Sequence, residues 1–102
     1  MRWLGKLTGN GELSCDGTPV GRVAYEFDGY AQGGREISSS GEIRLASLEL
    51  RQVFGRRGVQ LRTDDGRLLG LRFSDKGLRG DLDVAHVDVT GDLPATEKQW
   101  RH

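Results

Sequence analysis

The 102-residue chain has one cysteine, Cys15, and two prolines. A lone cysteine excludes an internal disulfide and a cysteine-ligated zinc site, and Cys15 is expected to pack as a small apolar residue. Histidine is almost as scarce, with only His86 and the terminal His102, which leaves little material for acid–base or nucleophilic catalysis. Aromatic residues make up 7% of the chain. No apolar run is long enough for a signal peptide or a membrane-spanning helix, so no membrane association is expected and the cytoplasm is the expected compartment. No 3.6-residue amphipathic pattern persists for three turns, which argues against a major helix.

Charge is plentiful but balanced, with 15 basic and 15 acidic side chains and a mean hydropathy of −0.54. The balance is uneven along the chain. Residues 1–40 carry a net of −1, residues 41–80 a net of +4 and residues 81–102 a net of −3. Twelve of the 15 basic residues are arginine, the better residue for bidentate contact with phosphate or carboxylate, although a GC-rich genome produces the same bias.

Sixteen glycines punctuate short alternating apolar runs, the pattern of turns and bulges in a β protein. Gly9-Asn10-Gly11 is read as the first turn. Val23, Tyr25 and Phe27 alternate with Ala24, Glu26 and Asp28 in the best single strand, and Gly21 before it marks a bulge. Asp28 to Gly34 is read as a loop, and Ser38-Ser39-Ser40 as a polar interruption of the run from Glu36 to Ala46. Ile43 and Leu45 have the opposite parity to Leu48 and Leu50. That requires a bend near Ala46-Ser47 or, alternatively, a helical turn over Ser47 to Phe54 that gathers Leu50, Val53 and Phe54.

The clearest hairpin runs from Val59 to Phe73. A two-residue turn at Asp65-Gly66 puts its apolar faces out of register. A three-residue loop sets Leu61 opposite Leu69 and Val59 opposite Leu71, with Gly66 in the left-handed position. Arg62 and Arg72 then point outwards and Arg67 sits beside the turn. In the last apolar run, Leu82 and Val84 break parity with Val87 and Val89, which predicts a bulge at Ala85-His86.

The pattern predicts an all-β fold, a small antiparallel β-barrel or strongly curved rolled sheet of about six or seven short strands with little or no helix. Residues 1–93 form the expected domain, and residues 94–102 a polar tail expected to fray.

Four features bear on chemistry. Asp81, Asp83, His86 and Asp88 have metal-ligand character, suited to manganese or magnesium, but also read as the solvent face of an ordinary strand. No phosphate-cradling glycine loop occurs. Glu36-Ile37-Ser38-Ser39-Ser40-Gly41 loosely resembles the second motif of PilZ domains, small barrels that bind a cyclic dinucleotide. That pattern is Asp/Asn-x-Ser-x-x-Gly after an upstream Arg-x-x-x-Arg; here glutamate stands first and the arginine motif is missing, so membership is not assigned. The fourth feature is the run Arg51, Arg56, Arg57, Arg62, Arg67 and Arg72, with Phe54 and Tyr30 as candidate stacking aromatics.

The expectation is therefore a non-enzymatic binding module with no cofactor and no bound metal, whose partner is a protein or a small anionic ligand. An anion-binding barrel for nucleotide or single-stranded nucleic acid, using the arginine run, is the alternative. A pI near 6.7 weighs against a dedicated nucleic-acid domain. A metal-dependent enzyme using Asp81, Asp83 and His86 ranks below both. A monomer is expected, with Gly80 to Val89 the one candidate edge for self-association.

Overall fold

A computed structural model of the chain describes residues 1–33, 36–74 and 83–100. Six strands, β1 (Arg2–Cys15), β2 (Thr18–Ala31), β3 (Ile37–Arg44), β4 (Val59–Thr63), β5 (Leu68–Phe73) and β6 (Val84–Gly91), close into an antiparallel barrel in the order β1-β2-β3-β6-β5-β4. A short helix, α1 (Ser47–Val53), links β3 to β4.

The alternation in β2 does what its sequence implies: Val23, Tyr25 and Phe27 are buried while Arg22, Ala24 and Glu26 face solvent. The bulge expected at Gly21 is present. Leu13 pairs with Gly21 but Ser14 pairs with Pro19, leaving Val20 as the extra residue.

Three punctuation signals are overridden. Gly9-Asn10-Gly11 lies in the middle of β1, and residues 28–31 continue β2. Ser38 to Gly41 are paired residues of β3. In each case a ladder on a neighbouring strand outweighs weak local propensity. Ser39 and Gly41 take inward positions beside Ile43 in a curved sheet that needs small residues there.

The 59–73 hairpin has the expected register, with Val59 opposite Leu71 and Leu61 opposite Leu69. Its loop is a turn closed by Gly66 N–H donating to the Thr63 carbonyl at 3.0 Å. Gly66 has φ of 95°, and Thr63 N–H then donates to the Arg67 carbonyl at 2.9 Å. The parity change after Leu45 is resolved by the helical alternative. Leu50 and Val53 are buried on α1, and Phe54 packs partly against them.

No bulge occurs at Ala85-His86. β6 pairs without interruption with β3, and Ala85, Val87 and Val89 all point inwards. The strand begins at Val84, so Leu82, which suggested the parity break, lies outside the described residues. Nor is β6 an edge: β3 pairs with its residues Val84 to Val89 on one side and β5 with Val87 to Gly91 on the other.

Two non-strand segments stopper the barrel. α1 covers the mouth where β1 ends and β4 begins. At the opposite end the segment from Pro94, expected to fray, is docked instead: Pro94 is buried and Trp100 is only 2% exposed. Burying the indole offsets part of the entropy cost of ordering the residues that carry it.

The register makes a stability contrast within one hairpin. Leu61 is fully buried and Leu68 is 41% exposed. Leu61→Ala is expected to cost about 2–5 kcal/mol and Leu68→Ala less than about 0.5 kcal/mol in urea unfolding with an unchanged m-value. Equal costs would contradict the register.

Candidate functional site

The arginine run does not stay together. Arg62 leaves the outer face of β4 between Glu12 of β1 and Leu68 of β5. Arg67 is held at the 64–66 turn, where its Nη1 donates to the Asp92 carbonyl at 2.9 Å. Arg51 lies exposed on α1. Arg56, Arg57 and Arg72 do converge, at the α1 end of the barrel.

These three arginines line one groove of about 530 Å³ with Gly55, Gly58, Leu71 and Phe73; among the described residues no acidic side chain lines it, although the Asp16 carboxylate lies close to Gly58. All three are exposed, and none forms an ion pair with another described residue. Arg72 stands opposite Asp88 in the β5–β6 ladder without bonding to it.

The loop that presents Arg56 and Arg57 is fixed by its backbone. Gly55 and Gly58 both adopt left-handed conformations, with φ of 76° and 75°, so the chain leaves α1 and enters β4 within five residues. Arg56 N–H donates to the Val53 carbonyl at 2.9 Å, and Asp16 N–H donates to the Gly58 carbonyl at 3.0 Å. The Cys15 thiol donates to the Arg57 carbonyl at 3.6 Å. Phe54 packs on Phe73 with ring centroids 5.0 Å apart. Phe73 is half-buried and still reaches the groove.

Of the two aromatics expected near the arginines, Phe54 is beneath the groove through its contact with Phe73. Tyr30 is not, since it pairs with Trp3 and Ser38 at the other end of the barrel. Phe73 continues the inward alternation of Leu69 and Leu71, and its position on the last residue of β5 gives it a second, wetter side.

The Asp81, Asp83, His86 and Asp88 cluster does not assemble among the described residues, of which Asp81 is not one. His86 Nδ1 shares a 2.7 Å hydrogen bond with Ser74 Oγ, and the Asp83 carbonyl accepts from Leu45 N–H. No group of three metal-ligating side chains is found among the described residues.

His86 instead belongs to a row across the outer sheet. Glu26 stands opposite Glu42, and Glu42 opposite His86; one step along, Asp28 faces Ser40 and Ser40 faces Asp88. Lys6 offsets part of this charge, with Nζ at 2.7 Å from Glu26 and 3.2 Å from Asp28. The outer face of β2, β3 and β6 is thus acidic, and the groove at the α1 mouth is basic.

With this geometry in view, comparison with protein-family models, curated proteins and solved structures finds no match to the chain.

One charge pair outside the groove gives the fold a pH dependence. Arg22 on β2 donates twice to Asp64, at 2.9 and 2.6 Å, and Asp64 N–H donates to the Asn10 carbonyl of β1. The hydrogen bonds from Arg22, helped by its charge, hold the Asp64 carboxyl below its ordinary value of 3.8. A depressed carboxyl contributes stability above its unfolded pKa and loses it as pH falls through the folded one. The stability gap between the native chain and Arg22→Gln is therefore expected to be fully present at neutral pH and to close below about pH 4. Urea titrations at stepped pH would measure it; because both side chains are exposed, the gap is expected to be small and to shrink with added salt. A gap independent of pH would assign the effect of the substitution to lost packing.

Proposed function

We propose that the chain is a binding module rather than an enzyme, and that it takes a small phosphorylated ligand of nucleotide size at the Arg56, Arg57 and Arg72 groove. The observation that carries this reading is the convergence of three arginines on a groove with an aromatic wall, with no ion-pair partner and no acidic lining among the described residues. Guanidinium groups bind phosphate through paired N–H donors, and Phe73 offers a surface against which a planar base can pack. The clamped 55–58 backbone lowers the ordering cost of binding.

A single-stranded polymer fits less well. Its backbone needs a basic track, and Arg62 and Arg67 lie away from the groove, while the adjoining outer sheet carries Glu26, Asp28, Glu42 and Asp88. Repulsion from that face favours an anion that ends within the groove.

Equilibrium binding of ATP, inorganic tripolyphosphate and an eight-residue oligothymidylate tests this directly. ATP is expected to bind best, with Arg56→Ala and Arg72→Ala each weakening it about tenfold or more and Arg62→Ala leaving it unchanged. Affinity should fall with rising salt in the native chain and less steeply in the arginine variants. Equal loss in Arg62→Ala would reduce the effect to net charge, and tighter binding of the oligonucleotide would replace the nucleotide reading with a strand-binding one.

A further inference from the structure

The mouth opposite the arginine groove is occupied by the chain's own indole. Trp100 lies against Gly29 of β2 so closely that a Cβ there would stand 2.5, 2.6 and 2.7 Å from Cη2, Cζ3 and Cζ2 of the ring. The absence of a side chain at Gly29 makes the seat. The Trp100 Nε1–H donates to the Pro94 carbonyl at 3.3 Å, a partner within its own terminal segment.

Gly29 is paired with Ser39 of β3, and Ser39 in turn with Val89 of β6. Ser39 shares the inward parity of Gly41 and Ile43 and is 5% exposed, yet its hydroxyl has no hydrogen-bond partner among the described residues. A buried hydroxyl left unpaired is costly, and such groups mark sites waiting for a partner. Cross-strand neighbours on one face have Cβ atoms about 4.5–5.5 Å apart, which sets Ser39 beside the benzo edge of the Trp100 ring. That edge is all carbon and cannot satisfy a hydroxyl.

Beside this seat a cavity of about 690 Å³ opens to solvent, lined by the charged Arg2 and Glu36 as well as by Leu4, Ile37, Val89 and Thr90. Three residues of the Leu93–Ala95 stretch that leads to Trp100 also line it. The occupant and the cavity are therefore parts of one end of the barrel.

We propose that this end is a second ligand site, for a planar aromatic molecule of one or two rings with a hydroxyl or similar polar group on its edge, and that Trp100 is its displaceable occupant. The ligand's ring takes the place of the indole over Gly29, and its polar edge bonds the Ser39 hydroxyl that Trp100 leaves unsatisfied. The Pro94–Trp100 segment leaves as one piece, since its indole hydrogen bond is internal to it.

The test uses the full chain and two probes, indole and 5-hydroxyindole; the hydroxyl of the second sits at the ring position of Cζ3, next to Gly29. Binding is followed by amide and Trp100 indole N–H resonances in two-dimensional NMR. Shifts are expected at Gly29, Ser39 and Val89, with 5-hydroxyindole bound about three- to tenfold more tightly than indole. Trp100→Ala, by removing the competitor, is expected to tighten both by about tenfold, and Ser39→Ala to abolish the preference between them. Should Trp100→Ala fail to fold, Ser39→Ala in the otherwise native chain decides the matter alone. The proposal is overturned if millimolar probe leaves Gly29 and Ser39 unmoved, or if the preference survives in Ser39→Ala.

Discussion

The β1–β4 ladder is the contact on which the rest of the structure depends. Gly11 to Cys15 pair with Thr63 to Val59, and this ladder, with that of β3 on β6, joins the β1–β3 and β4–β6 meanders into a barrel. Closure removes the free strand edges that would otherwise invite association, and it forces every inward position into one small interior. That interior accepts Phe27, Leu13, Ile43 and Leu61, all fully buried, and leaves two open ends that strands alone cannot cover. Both stoppers, α1 at one end and Trp100 at the other, are answers to that geometry.

The two ends acquire different chemistry for local reasons. At the α1 mouth the chain must leave a helix and enter a strand in five residues, and the two glycines that permit it bracket Arg56 and Arg57. Those side chains project into solvent because the loop backbone beneath them is spent on bonds to Val53, Cys15 and Asp16. At the other mouth the stopper is a side chain rather than an element, held by shape against Gly29 and by a hydrogen bond within its own segment. The first end carries three exposed arginines, and the second an indole seated on Gly29 beside a hydroxyl that is unpaired among the described residues.

Much of the fold was legible where two signals agreed. In the 59–73 hairpin, parity and the glycine requirement of the turn select the same three-residue loop, and the register followed. In β2 the alternation of Val23, Tyr25 and Phe27 agreed with their β propensity. Reading failed where glycine and serine were taken as punctuation. Gly9 to Gly11 and Ser38 to Gly41 lie inside paired strands because crowding in a tightly curved barrel selects small residues, and crowding is a property of neighbours distant in sequence. Trp100 was misjudged for a related reason: an isolated apolar residue in a polar tail shows no pattern, and only the presence of Gly29 opposite it makes a place to bury it.

By itself the sequence determined the class of fold, the inward faces of β2, β4 and β5, and the supply of arginines, because alternation, turn chemistry and composition are local. Only the tertiary structure decided which arginines meet. Strand direction and register carry Arg62 and Arg67 away from Arg56 and Arg57, and bring Arg72, fifteen residues further along than Arg57, to the same groove. It alone placed Glu26, Glu42 and His86 in one row and set an unpaired Ser39 hydroxyl beside Trp100's seat. Proximity across a barrel is fixed by pairing partners, and no one segment of the chain carries that information.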